Sequence, residues 1–349
     1  MNRHNNFDLL RLIAAAGVMA LHVVDLSREP SLSFLLWADT KIALSIFFII
    51  SGYLVYMSCE RTPSLGEYTS KRLRRIVPAY AAVVVVCAFL GCLISALPLA
   101  TYFGKAWVQY LVANLSFLNF LQPSLPGVFV NNPMPGAPVN GALWTIKVEL
   151  MFYAVVPVIV WLSRRFGHHL VLGLGFIASC VWWGTFVHLA YSTGKGGFFE
   201  VAKQMPGQLM FFLPGAWCYC ERDRLRRLGW RLGAIGIALL LLAYQWDQTH
   251  PTFGVFLYPL ALSACVSWAA HNLPYLGSVT RHGDLSYGIY ILHFPVIQTL
   301  VHFGVFKASP LGGVALLLLV VTSLAWACWH FIEAPMLWRK KPVLQTVPA

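Results

Sequence analysis

Charge is scarce in this sequence. Only 11% of its 349 residues are Asp, Glu, Lys or Arg, while 58% are hydrophobic. Mean hydropathy is +0.66. A soluble domain carries about 25% charged residues, so this chain has too few to clothe a core in water, and a soluble globular enzyme is excluded. Acidic residues are the scarcest, 13 against 25 basic ones, which leaves a formal net charge of +12. The basic residues sit in short clusters between apolar runs. That pattern orients a membrane protein and argues against a nucleic-acid partner. A disulfide framework is also missing. Most of the eight cysteines fall inside apolar runs, and Cys218 and Cys220 stand closer together than a zinc knuckle needs. Neither a basic leader nor a small-residue cleavage site accompanies the apolar run from Phe7, which therefore reads as a retained helix rather than a signal peptide. No internal repeat is visible.

What is present is a series of apolar runs long enough for the roughly 20 residues of helix that a bilayer crossing needs. Lipid offers the backbone no hydrogen-bond partners, so each run must close its own ladder as a helix. The runs predict an all-α, polytopic membrane helix bundle of about ten transmembrane helices in a single domain over 1–349. The helices fall near residues 7–25, 40–58, 77–97, 142–163, 169–191, 204–220, 230–246, 254–270, 284–304 and 310–331. Tyr102–Leu121 is aromatic and mildly amphipathic, suited to lying on the membrane or re-entering it. Gln122–Gly141 holds Pro123, Pro126, Pro133, Pro135 and Pro138 and reads as a loop. Together they form a long connection over about 98–141, of a kind that often carries function. Arg3, Arg61, Lys71–Arg75, Arg164–Arg165, Arg222–Arg231, Arg281 and Arg339–Lys341 fall on one set of alternate connections; Arg28, Lys105, Lys195, Lys203 and Lys307 fall on the other. This bias predicts N- and C-termini in the cytoplasm and the Pro-rich loop outside.

An ionisable group inside a bilayer is costly, so each one needs a reason. The first helix carries Arg11, His22 and Asp25, the fourth Lys147 and Glu149, the ninth His293, and the tenth ends at His330 and Glu333. Eleven positions separate Arg11 from His22. At about 100° and 1.5 Å per residue they share one face, roughly 16 Å apart along the axis. Asp25 is close enough to touch His22. Two readings are open: a snorkelling arginine with a satisfied structural histidine, or a polar stripe along a pathway with His22 as general base. Glu149 and Tyr153 face the same way, as do Trp144 and Lys147. Either Lys147 snorkels and Glu149 pairs with a distant basic residue, or Glu149 orients a base or binds a sugar hydroxyl. The cluster from Lys71 to Arg75 is either a topology anchor or a phosphate clamp. Ser51-Gly52-Tyr53 supplies a small residue for close helix approach.

These elements together resemble the acyltransferase-3 family of bacterial membrane acyltransferases. The matching stretches are Phe7-Asp8-Leu9-Leu10-Arg11 with His22, Phe47 to Tyr53, Lys71 to Pro78 with Arg72 and Arg75 as an R-x-x-R, Leu143 to Glu149, Ser286 to Pro295, and Glu333-Ala334-Pro335. Each alone is weak; six in order across nearly the whole chain are specific. The resemblance implies ten membrane helices and transfer of an acyl group, usually acetyl, from acyl-CoA to a hydroxyl of a cell-surface or exported saccharide. It implies His22 as the catalytic residue, with Arg11, Arg72 and Arg75 essential or donor-binding. It also implies the stand-alone type, without the extracytoplasmic esterase-like domain that some members carry, in a bacterial inner membrane.

The expected mechanism follows. Arg72 and Arg75, with Arg11, hold the phosphates of acetyl-CoA at the inner mouth, and the pantetheine arm runs toward His22. His22 deprotonates the acceptor while Asp25 or Glu149 holds its other ring nitrogen. Lys147 or an arginine stabilises the oxyanion. Ser51, Tyr53, Trp144, Lys147, Tyr153 and His293 contact the substrate. A covalent acetyl-histidine is a variant of this scheme. The partners are acyl-CoA, a glycan that includes lipid-linked forms, and membrane lipid; no metal is expected. The rival class is a proton-coupled secondary transporter, in which the same buried charges relay protons.

Overall fold

The computed structural model describes residues 5–37, 40–133, 138–249, 254–276 and 283–337. Arg3, Pro135, Arg281 and Arg339–Lys341, named above, lie outside them. The described residues are helical throughout their ordered elements and contain no strand. The principal helices are α1 (Phe7–Ser27), α2 (Thr40–Arg61), α3 (Leu65–Leu90), α4 (Lys105–Leu115), α5 (Trp144–Phe166), α6 (His168–Thr193), α7 (Met205–Cys220), α8 (Arg222–Leu228), α9 (Trp230–Thr249), α10 (Gly254–His271), α11 (Leu285–His302) and α12 (Pro310–Cys328). A helix lies in each of the ten apolar runs. Among the described residues, six segments are long and apolar enough to cross a membrane, and a seventh, α8 with α9, is bent by 91°. This is a multi-pass membrane protein. Its outer surface bears the apolar side chains that lipid tolerates: Leu174, Val181 and Leu319 are all more than half exposed.

One boundary differs from expectation in a way that matters. The third helix begins at Leu65, not near residue 77. Ser64 caps its start, its hydroxyl accepting the Glu67 N–H at 3.2 Å. Glu67 then pairs with Lys71 at 3.2 Å, one turn on. The basic cluster is therefore wound into α3, and helical geometry presents Arg72 and Arg75 one turn apart.

The bundle is organised around α1, which packs between α2 and α11. α7 lies on α2, α6 on α7, and α12 on α11. The α2–α7 crossing is tight. A Cβ on Gly52 would collide with the Phe212 carbonyl, and one on Gly215 with the Ile49 carbonyl. The small residue in Ser51-Gly52-Tyr53 serves close approach, as the sequence indicated.

The long connection is folded rather than loose. α4 leans on α3, where Trp107 donates its indole N–H to the Ala88 carbonyl at 2.8 Å and Tyr80 its hydroxyl to the Asn114 carbonyl at 2.8 Å. The described part of the Pro-rich loop is fastened to α11. Asn132 donates to Gln298 Oε1 at 2.7 Å, and Asn140 to the Ile291 carbonyl at 2.8 Å.

Candidate active site

α1 and α11 bring His22 and His293 together. Nδ1 of His22 lies 2.8 Å from Nε2 of His293, with the rings nearly parallel. The second nitrogen of His293, Nδ1, lies 3.0 Å from the Ile289 carbonyl of its own helix. A carbonyl only accepts, so Nδ1 of His293 carries the proton and Nε2 offers a lone pair. That lone pair can be satisfied only if Nδ1 of His22 donates. The consequence is a fixed tautomer for His22, with an unprotonated Nε2. His293 is fully buried, at 0% exposure. Phe294 packs edge-on against His22, ring centroids 5.1 Å apart.

His293 thus occupies the place expected for Asp25 or Glu149. Among the described residues no hydrogen bond joins Asp25 to His22. Glu149 instead accepts from the Tyr153 hydroxyl at 2.6 Å and faces Ser51 Oγ at 3.5 Å. Glu149 and Ser51 line a small inner cavity, together with Arg11, Phe47, Thr145 and Tyr290. The cavity therefore starts at the Arg11 level of α1. Thr145 and Tyr290, hydroxyl to hydroxyl at 2.6 Å, belong to its wall, and the Tyr290 ring lies 5.9 Å from that of His293.

Below the cavity is a charge network that sequence reasoning only half saw. Asp284 caps α11 through the Ser286 N–H and accepts from Arg11 at 3.1 Å; it also pairs closely with Arg75. Arg75 reaches Glu333 at 3.5 Å with its other nitrogen and stacks on Trp329. Glu333 is 1% exposed and sits on a π-helical turn, Trp329–Glu333, whose extra residue per turn directs it inward. Arg72 goes elsewhere, donating to Ser58 Oγ at 3.1 Å and lying over the Tyr153 ring. The two arginines are not one clamp: Arg75 is neutralised by two carboxylates, and Arg72 is not. Asp284 was the missed residue. Its signal was an acid one position before the helix that starts Leu285-Ser286, an N-cap pattern.

Three other expected contacts lie away from the cavity. Tyr53 is packed in an aromatic cluster with Phe7, Tyr219 and His271. Lys147 donates to Gln204 at 2.7 Å and lies 4.8 Å from the centre of the Phe120 ring, because its position on α5 is turned well away from that of Glu149. Trp144 packs, partly buried, against the general core.

One further group of ligand-type side chains lies at the start of α6. His168 and His169 both approach Glu221 Oε1, at 3.0 and 3.4 Å. Trp217 donates to His169 Nδ1 at 3.2 Å, which puts the ring proton on the nitrogen facing Glu221. Arg224 reaches the other carboxylate oxygen at 3.2 Å. This is hydrogen bonding to a carboxylate, and the His168 contact holds the Glu221 carboxyl below its usual range.

Known proteins resemble this chain over nearly its whole length. A family model described as an acyltransferase domain, Acyl_transf_3, matches residues 4–330. The chain belongs to this acyltransferase family. Its relatives include the O-acetyl transferase of Shigella phage Sf6, 27% identical over 99% of both chains. Nodulation protein 10 of Rhizobium leguminosarum bv. viciae is 30% identical over 95% of this chain and 92% of its own length. The O-acetyltransferase OatA of Staphylococcus aureus is 23% identical over 96% of this chain, which spans 57% of that protein. No solved structure matches. The matched region of the family contains the imidazole pair, the cavity and Asp284, while Glu333 lies just past its end.

Proposed function

We propose that the protein is a membrane O-acetyltransferase of the bacterial inner membrane, moving an acetyl group from cytoplasmic acetyl-CoA to a hydroxyl of an exported saccharide. Ten crossings with both termini inside would place the basic ends of α2, α3 and α5 on the donor side and the Pro-rich loop on the acceptor side. The reading is supported by the names of the relatives, two of which are O-acetyl transferases, and by the spacing of Arg11 and His22 along α1.

The observation that carries it is the fixed tautomer of His22. Its free Nε2 is the general base. It takes the proton of the acceptor hydroxyl as the oxygen bonds to the thioester carbonyl carbon; the C–S bond breaks, and the thiolate takes the proton back from the imidazolium. His293 holds the ring as the orienting member of a dyad. The cavity between Arg11 and Tyr290, walled by aromatic rings and one carboxylate, suits the narrow amide-bearing arm of the donor. Labelled acetyl-CoA given to purified protein with a glycan fraction tests the proposal. Label on the glycan, lost in His22→Ala, is expected. Full transfer by His22→Ala would overturn it, and ion-driven uptake without label transfer would favour a carrier.

A further inference from the structure

A second cleft opens at the basic end of the bundle between the α2–α3 turn and the end of α5. Cys59, Thr62, Ser64, Tyr68, Trp161 and Arg164 are among its lining residues. Arg164 is exposed and donates one hydrogen bond, to the Glu60 carbonyl at 3.2 Å, leaving most of its N–H groups unspent. Trp161 is 63% exposed and offers a flat indole face beside it.

Tyr153 links this cleft to the inner cavity through two hydrogen bonds. Tyr68, in the cleft, donates its hydroxyl to the Tyr153 carbonyl at 3.1 Å. Tyr153 in turn donates to Glu149 of the inner cavity at 2.6 Å. Arg72 lies over the Tyr153 ring and is held by Ser58, next to Cys59 of the cleft; its Nε is buried without a partner. The sequence of spaces is an open cleft, largely apolar, with one arginine and an exposed indole, a tyrosine–arginine partition, and a narrow inner cavity. A ligand that fits it has a bulky, multiply anionic aromatic head and a slim arm.

Resting on the acetyl-CoA reading above, we infer that this cleft holds the nucleotide end of the donor. The adenine lies against Trp161, Arg164 binds the 3′-phosphate, and Arg72 faces the diphosphate where the arm passes Tyr153. An anionic lipid headgroup is the other source of the same phosphate chemistry at this membrane edge. The cleft assigns donor recognition to Arg164, outside the R-x-x-R, and leaves Arg75 to its carboxylates.

The test uses the full chain in phosphatidylcholine nanodiscs, with adenosine 3′,5′-bisphosphate and 5′-AMP, which differ only in the 3′-phosphate, as probes in titration calorimetry. The bisphosphate should bind at least about tenfold tighter, the worth of one charge-assisted contact. Arg164→Gln should erase that ratio, whereas Arg72→Gln should weaken both probes together. The bisphosphate should also slow maleimide labelling of Cys59. An unchanged ratio in folded Arg164→Gln overturns the inference, even if acetyl transfer from acetyl-CoA proceeds normally. So does a bisphosphate that fails to bind in phosphatidylglycerol nanodiscs, since the cleft would then be a lipid site. Absence of both nucleotide binding and label transfer in the wild-type protein brings down the acetyl-CoA reading itself.

Discussion

Replacing His293 with phenylalanine removes the acceptor for Nδ1–H of His22 and keeps a ring of similar width at a site with 0% exposure. The two contacts that set the tautomer, 2.8 Å to His22 and 3.0 Å to the Ile289 carbonyl, disappear together. An unpaired buried N–H costs about 1–3 kcal/mol. If His22 must keep its proton on Nδ1 to leave Nε2 basic, that cost enters the barrier, and kcat falls about 5- to 160-fold. KM for acetyl-CoA should not move, because the cavity proposed for the donor is lined from Arg11 to Tyr290 and not by His293. His293→Gln should recover much of the loss, since its amide oxygen accepts a hydrogen bond. In His22→Ala, adding His293→Phe should cost nothing more, as expected of residues that act as a unit. The assay is initial-rate transfer of labelled acetyl at saturating donor. Wild-type kcat in His293→Phe, or a loss confined to KM, would refute the reasoning.

Other outcomes follow from the packing and the charges. Asp284→Asn leaves Arg11 and Arg75 without their shared carboxylate; with 12% of the Asp284 side chain exposed, the loss should fall toward the lower end of the about 3–5 kcal/mol for breaking a buried pair, read as thermal unfolding in detergent. Removing one cation as well, in Asp284→Asn with Arg11→Met, should return part of that stability while activity stays lost. Gly52→Ala forces α2 off the Phe212 carbonyl and should lower stability by about 1–3 kcal/mol; unfolding at the wild-type temperature would contradict the tight crossing. The Glu221 carboxyl titrates below its usual value of 4.5, so its stabilisation is complete above that pH and fades as the pH drops beneath it. The stability margin of wild type over Glu221→Gln should accordingly close in acid, and a margin constant with pH would contradict the pairing.

Much of the fold was legible because lipid enforces a simple rule: apolar runs of spanning length become helices. Gly52 could be read as an interhelical contact from its size alone. The start of α3 could not be placed from hydropathy, because Lys71–Arg75 interrupts the apolar signal, although the Ser64 cap marks it. The site was legible as a set of residue types and not as a set of pairs. Arg11, His22, Glu149 and His293 stood out as ionisable groups in apolar surroundings. Which groups touch depends on helices far apart in sequence: His22 meets His293 and not nearby Asp25, and Arg11 meets Asp284. A one-turn neighbour on a helix competes with every side chain that tertiary packing brings in. Here a neutral imidazole, already anchored to its own backbone, fills the position.

The attachment of the Pro-rich loop to α11 ties the loop to the helix that carries the imidazole pair's second member. Asn140 holds the Ile291 carbonyl and Asn132 holds Gln298, on the helix that carries His293 and Phe294. A Cβ on Gly141 would press on the Phe294 ring, which in turn packs on His22. If the loop meets the saccharide acceptor, as proposed, drift in it that admits a new saccharide is transmitted to the imidazole pair. Acceptor range and turnover should evolve as one trait, and grafting the loop from a relative should succeed only when its α11 is carried with it.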